Sequence, residues 1–231
     1  MGAWFSAHSL ISLLALAALG TVFWVWQARR RLSLRPPWVL LLSLLHVAVG
    51  VGCVKLFAVL EAGSLDAAGN MSLFGAVFFL PLFYWLGARL THRSIPEVFD
   101  VFVVPMVFTL ACARVNCLLS GCCLGRLIPG STLRWPTREA ELLFYAVLLG
   151  WFLFRTRQGG TRGRLYPIYM IAYGAFRFVT EFFRQGSDSL LHLSHLWALI
   201  CLILGAAFLA ELRRRDAAQH ATIRKHRRKT K

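Results

Sequence analysis

Charge is what this chain has least of. Charged residues make up 16% of its 231 residues, and acidic ones number only 10, whereas soluble domains carry roughly a quarter charged residues. With 58% of the residues hydrophobic, that shortage excludes an ordinary water-soluble domain. The six cysteines are too few and too scattered for a disulfide scaffold. Cys53, Cys112 and Cys201 lie in apolar surroundings and read as small buried hydrophobes. No internal repeat is visible. Basic residues are missing ahead of the first apolar run, residues 5–26, whereas Arg29, Arg30, Arg31 and Arg35 follow it. A secretory signal peptide has the opposite order, so this run reads as a retained helix with its N-terminus outside.

Long apolar runs are plentiful. They cover about 5–26, 38–60, 71–88, 97–119, 139–154, 165–183 and 194–211, and a stretch of about 18 or more apolar residues reads as a membrane-crossing helix. The predicted fold class is all-α, a polytopic membrane bundle of about seven transmembrane helices. Residues 1–211 form a single transmembrane domain and 212–231 a basic cytoplasmic tail. The net charge of +16 by itself would suit nucleic acid. Its distribution excludes that partner, because the arginines and lysines fall mostly in alternate connections, the positive-inside pattern. The N-terminus is expected outside and the C-terminus in the cytoplasm, with the tail near anionic inner-leaflet lipid. The outer connections hold Glu61, Asp66, Glu139, Glu141 and Asp188.

Ionisable residues inside the runs are costly in lipid and mark functional positions by default. They are Lys55, Asp100, Arg114, Arg177, Glu181 and Arg184. Asp100, near the inner end of its run, is expected to pair with inner-face arginines. In "YGAFRFVTEFFR", residues 173–184, the side chains of Tyr173, Arg177, Glu181 and Arg184 fall within an arc of about 80° on one helix face. Arg177 and Glu181 are spaced to pair at i,i+4. Such a stripe either joins helices or lines a polar cavity near the outer leaflet. Guanidinium groups there suit bidentate phosphate binding, and the abundant phosphate in a membrane is a phospholipid headgroup. Arg114 lies towards the same side, where it either snorkels to the interface or joins the site.

The fourth run ends in "CARVNCLLSGCCLGR", residues 112–126. Gly121 and Gly125 permit close backbone approach. The connection from Ser120 to Arg138 is long for a helix bundle, yet keeps Leu127, Ile128 and Trp135, which favours an ordered, functional loop. Four readings compete for Cys117, Cys122 and Cys123. They are packed small residues, a disulfide such as Cys117–Cys122 on the oxidising side, a thiolate favoured by Arg114 or Arg126, or a metal site. The last lacks the paired spacing of zinc motifs. No metal and no cofactor is expected.

Three segments resemble the prolipoprotein diacylglyceryl transferase family, and the similarity runs through roughly 45–205. "ARVNCLLSGCCLGR" resembles the family's Gly-Arg-Ile-Gly-Asn-Phe-x-Asn-Gly-Glu-x-x-Gly-Arg signature at Arg114, Gly121, Gly125 and Arg126. "RWPTREAELLFYAVL" is similar to its Arg-His-Pro-Ser-Gln-Leu-Tyr-Glu segment at Arg134, Pro136 and Glu141. "YGAFRFVTEFFR" resembles its Tyr-Gly-x-x-Arg-Phe-x-x-Glu-x-x-Arg helix at every polar position named there. The resemblance implies a multi-pass enzyme of the bacterial cytoplasmic (inner) membrane. It would move the diacylglyceryl group of phosphatidylglycerol to the signal-peptide cysteine thiol of a lipoprotein precursor carrying a lipobox. By the same resemblance, Arg114, Tyr173, Arg177, Glu181 and Cys122 are the expected catalytic positions. Gly121, Gly125, Arg126, Glu141 and Arg184 join Arg114 in binding substrate. The chain departs from the family pattern where Phe74 replaces a histidine, Cys117 and Ser120 replace asparagines and Cys122 replaces a glutamate. Phe74 accepts no proton, so a general base is missing there. His192 and His195 read as solvated loop residues, with replacement of that base as the competing reading. Two alternatives to the transferase stay open, a membrane thiol-redox protein and a lipid-binding pseudoenzyme.

Overall fold

The computed structural model describes residues 2–159, 161–185 and 192–229. Among the described residues it is all-helical apart from two isolated bridges, Gly125 to Arg184 and Leu127 to Arg134. The described helices are α1 (Gly2–Leu32), α2 (Pro36–Ala62), α3 (Phe74–Leu90), α4 (Ile95–Ser120), α5 (Thr137–Gln158), α6 (Leu165–Glu181) and α7 (Leu193–Lys229). A short 3-10 turn, Leu65–Gly69, connects α2 to α3. Helices satisfy their own backbone polar groups, which lipid requires of any spanning segment. The protein is a multi-pass membrane helix bundle.

Four of the helices are long and apolar enough to cross a membrane on composition alone: Ser9–Leu32 of α1, α2, α4 and Leu193–Gln219 of α7. Helix α3 is apolar but shorter. The runs read from the sequence as fifth and sixth spans, α5 and α6, fall outside that set. They carry the residues of a buried ionic centre in place of a continuous apolar surface. Large apolar side chains such as Leu19, Phe23, Leu60, Leu82 and Val147 face outward, as expected of a surface solvated by lipid.

Helix α4 is central. It packs on α1, α3, α5 and α6, while α6 lies along α7. Its N-terminal half is locked by an aromatic cluster in which Tyr84, Phe99, Phe102 and Tyr166 meet at centroid distances of 5.0–6.1 Å. Tyr166 Oη donates to the Val77 carbonyl at 2.5 Å and Trp24 Nε1 to the Val101 carbonyl at 2.8 Å. Among the described residues no arginine hydrogen-bonds to Asp100, although Arg31 of α1 is its electrostatic neighbour. It accepts the backbone amides of Gly163 at 2.6 Å and Leu165 at 2.9 Å. The carboxylate thus satisfies donors left open at the start of α6, in addition to the arginine interaction that the sequence suggested.

The change in composition at residue 212 is not a break in the helix, because α7 continues to Lys229. No glycine or proline interrupts it there, Glu211 pairs with Arg215 one turn on at 2.7 Å, and Arg164 pairs with Asp216. That second pair ties the helix to the α5–α6 connection.

Candidate functional site

Four buried ionic side chains from three helices form one alternating chain. Arg114 of α4 reaches Glu141 of α5, Nε to Oε2, at 2.5 Å. The other oxygen of Glu141 accepts from Arg177 of α6, NH1 to Oε1, at 2.9 Å. Arg177 continues to Glu181 one turn along, NH2 to Oε2, at 2.8 Å. All four are at least nine-tenths buried. Alternating signs are what make this burial tolerable, since an isolated charge in such a place neutralises or destabilises the fold.

The i,i+4 pairing of Arg177 and Glu181 is as the stripe predicts. Arg114 does not snorkel but points into the bundle. Glu141, read from the sequence as part of an outer connection, lies inside α5 and bridges the two arginines. A carboxylate in the first turns of an apolar run was the available signal, and the sequence reading used it only through the family pattern.

Phenol groups surround this chain. Tyr145 and Tyr173 are buried beside Arg114, Glu141 and Arg177, and Tyr169 stacks on Tyr173 at 5.6 Å. The hydroxyls of Tyr145, Tyr169 and Tyr173 have no hydrogen-bond partner among the described residues. A buried hydroxyl left unpaired costs about 1–3 kcal/mol, so these three are groups that water or a polar ligand would satisfy. Phe74, which the family resemblance sets in place of a histidine, lies against the same centre. Its ring meets Tyr173 edge-on at 5.6 Å, and the Arg177 guanidinium carbon sits 5.9 Å from its centroid.

Above the ionic chain lies the loop 121–136, which is ordered as its apolar content suggests. Gly121 closes α4 in the left-handed conformation, φ 70°. Gly125 runs so close to the Trp135 backbone that a Cβ would overlap its carbonyl. The Arg126 amide donates to Phe183 at 2.9 Å and the Gln185 amide to Leu124 at 3.1 Å, fastening the loop to the end of α6 and bridging Gly125 to Arg184. Trp135 packs on Phe183 at 4.7 Å. Arg126 lies over the Phe183 ring at 5.8 Å. Arg134 donates to the Gly125 carbonyl and to Gln185 at 3.1 and 3.2 Å. Arg138, which the sequence reading passed over, donates to the Cys117 carbonyl at 3.5 Å. The loop arginines and Arg184 therefore form a basic rim over the buried centre.

The thiols sit between rim and centre. Arg114 NH1 lies 3.7 Å from Cys117 Sγ, and Cys117 Sγ lies 3.9 Å from Cys123 Sγ. All six cysteines are free, and Cys117 faces Cys123, not the Cys122 named in the disulfide reading. Cys122 is exposed and near Ser120, 3.3 Å from its hydroxyl, so Arg114 touches Cys117 instead. A hydrogen bond from the Cys117 thiol, helped by the Arg114 and Arg184 guanidinium groups, holds the Cys123 thiol below the usual thiol range.

His195 is not a solvated loop residue. It is buried in the first turn of α7, 4.3 Å from Phe182 and 5.2 Å from Phe178 between ring centroids, and its Nδ1 accepts the His192 amide at 3.1 Å. Asp188 lies outside the described residues.

Fold and site define an integral membrane helix bundle with a buried arginine–glutamate centre beneath a basic, thiol-bearing loop. A model of the prolipoprotein diacylglyceryl transferase family matches residues 5–211, and the chain belongs to that family. Among similar proteins, a phosphatidylglycerol–prolipoprotein diacylglyceryl transferase of Dehalococcoides mccartyi is 24% identical over 237 aligned positions, covering 91% of each chain. Another from that species is 26% identical over 85% of each. One from Coxiella burnetii is 33% identical over 53% of this chain and 51% of its own.

Proposed function

We propose that this protein transfers the diacylglyceryl group of phosphatidylglycerol to the cysteine thiol of a lipoprotein precursor at its lipobox. The observation that carries the reading is the buried chain Arg114–Glu141–Arg177–Glu181, whose four members stand at the positions that resemble the family's motifs. Arg184 and Arg126 bind the headgroup phosphate at the rim, while Arg114 and Arg177 stabilise the negative charge that grows on it. Gly121 and Gly125 shape the loop around the headgroup. Glu141 fixes both central guanidinium groups, and Glu181 orients Arg177. Tyr173, Tyr145 and Tyr169 supply hydroxyls to polar atoms of the headgroup.

Electrostatic support of this kind is worth most where charge develops and water is excluded. In the reaction the acceptor thiol passes its proton to water and its sulfur forms a bond to the terminal glyceryl carbon. The carbon–oxygen bond to phosphate breaks, and its electron pair leaves with glycerol phosphate. The apolar cavity between α1, α2, α3 and α4, which reaches Ala113 and Asn116 beside the site, accepts part of an acyl chain.

The protein works in the bacterial cytoplasmic membrane, with its N-terminus and the loop 121–136 outside and its C-terminus inside. Residues 1–211 act as one transmembrane domain and 212–231 as a basic cytoplasmic extension. The arginines in the last turns of α1 and α5 support that orientation. The test supplies purified protein with labelled phosphatidylglycerol and a lipobox peptide. Thioether-linked peptide and released glycerol phosphate are expected, and both should vanish with Arg177→Ala. Bound lipid without transfer in the unaltered protein would overturn the reading.

A further inference from the structure

Six cysteines divide into two populations. Cys53, Cys112 and Cys201 are buried, as small hydrophobic residues should be, whereas Cys117 and Cys123 are half-exposed and Cys122 is exposed. Packing therefore accounts for the first three and not for the second. The Sγ atoms of Cys117, Cys122 and Cys123 all lie within 4.8 Å of one another. Their sequence spacing resembles no zinc motif. The end of α4, the left-handed turn at Gly121 and the positive φ of Cys123, 57°, bring them together nonetheless.

We propose that Cys117, Cys122 and Cys123 form a three-thiolate zinc site whose fourth position takes the acceptor thiol. Zinc–sulfur bonds of about 2.3 Å in a tetrahedron place ligand sulfurs about 3.8 Å apart. Cys117 and Cys123 are already at 3.9 Å, and the exposed Cys122 closes the remaining distance by a side-chain rotation. Three thiolates around one Zn2+ carry a net charge of −1, which Arg114, 3.7 Å from Cys117 Sγ, and Arg138, at the Cys117 carbonyl, offset. Three protein ligands and one open position are the arrangement of a catalytic zinc, and a thiol that binds there gives up its proton.

This answers the chemistry that Phe74 leaves open, and it rests on the transferase reading. The acceptor thiol releases its proton to water on binding the metal. Its sulfur then forms the bond to the glyceryl carbon as the carbon–oxygen bond breaks, and the phosphate leaves as a monoester dianion. A Cys117–Cys123 disulfide would leave Cys122 unpaired and needs an oxidant.

The test uses the full chain, purified in detergent through a tag free of histidine, incubated with zinc sulfate and desalted before elemental analysis. About one equivalent of zinc per chain is expected, falling at least about tenfold in Cys117→Ser and Cys123→Ser and unchanged in Cys201→Ala. Wild-type protein loaded with Co2+ should show thiolate-to-cobalt charge-transfer absorption, a readout that needs no variant to fold. Zinc-free wild type with all thiols still titratable would overturn the proposal, as would a Cys117–Cys123 disulfide trapped in protein taken directly from cells. If zinc binds but no form transfers lipid, the site stands and the transferase reading fails. If metal-free Cys117→Ser transfers lipid at the wild-type rate, zinc activation fails and the transferase reading stands.

Discussion

Arg114 and Glu141 join α4 to α5 by a direct ion pair, Nε to Oε2, at 2.5 Å, and the second oxygen of Glu141 holds Arg177 of α6. One carboxylate thus fixes two guanidinium groups from two different helices. Glu141→Ala should leave both buried arginines short of a partner and cost about 3–5 kcal/mol of stability. Thermal unfolding in detergent checks this, with Glu141→Gln falling between alanine and wild type. An unchanged midpoint for Glu141→Ala would show that the arginines find other partners.

Phe74 touches both the Arg177 guanidinium and Tyr173. Phe74→Leu keeps an apolar side chain but removes the aromatic face, which is worth about 0.5–1 kcal/mol to a cation, so a several-fold loss in transfer rate is expected. Phe74→His restores the family's side chain. It should add a step in rate that rises with pH through about 6.5 as the imidazole loses its proton and becomes able to accept one. Rate–pH profiles of the two proteins decide this, and identical profiles would remove Phe74 from the site.

Gly125→Ala tests the loop. Its Cβ would overlap the Trp135 carbonyl, and relieving that overlap costs about 1–3 kcal/mol. The strain falls on the bridges joining residues 124–126 to the end of α6. Membrane levels should stay near wild type while transfer drops at least about tenfold, the factor that 1.4 kcal/mol gives. Full activity would mean that the loop is not part of the site.

Asp100 is the contrasting case, a buried charge with a structural duty. Asp100→Ala removes the acceptor for two amides at the start of α6 and should lower stability by about 1–2 kcal/mol, with little change in transfer at a permissive temperature. A lost rate at unchanged stability would contradict that assignment.

Topology has its own measurement. A reporter fused after Gly159 should be cytoplasmic, and one fused after Gly130 external. The reverse pattern would overturn the orientation and place the basic loop on the wrong side for its acceptor.

Much of this was fixed by one-dimensional pattern. Apolar runs in a chain poor in charge determine membrane helices, because lipid offers backbone groups no alternative partner. The order of motifs determined which family the chain resembles. The i,i+4 spacing determined the Arg177–Glu181 pair, since helix geometry alone brings those positions together. Tertiary structure decided what lies between helices. Glu141 looked like a loop acid until α4, α5 and α6 placed it between two arginines. Asp100 read as a partner for an arginine, which Arg31 is electrostatically, but only the arrival of α6 supplied the two amides it accepts. His195 looked solvated until Phe178 and Phe182 covered it. The thiols looked too irregularly spaced for a common site until the turn at Gly121 folded Cys122 and Cys123 back beside Cys117. Periodicity reports the face of one helix, whereas the partner of a buried charge or thiol is set by which other chain segment arrives at that depth.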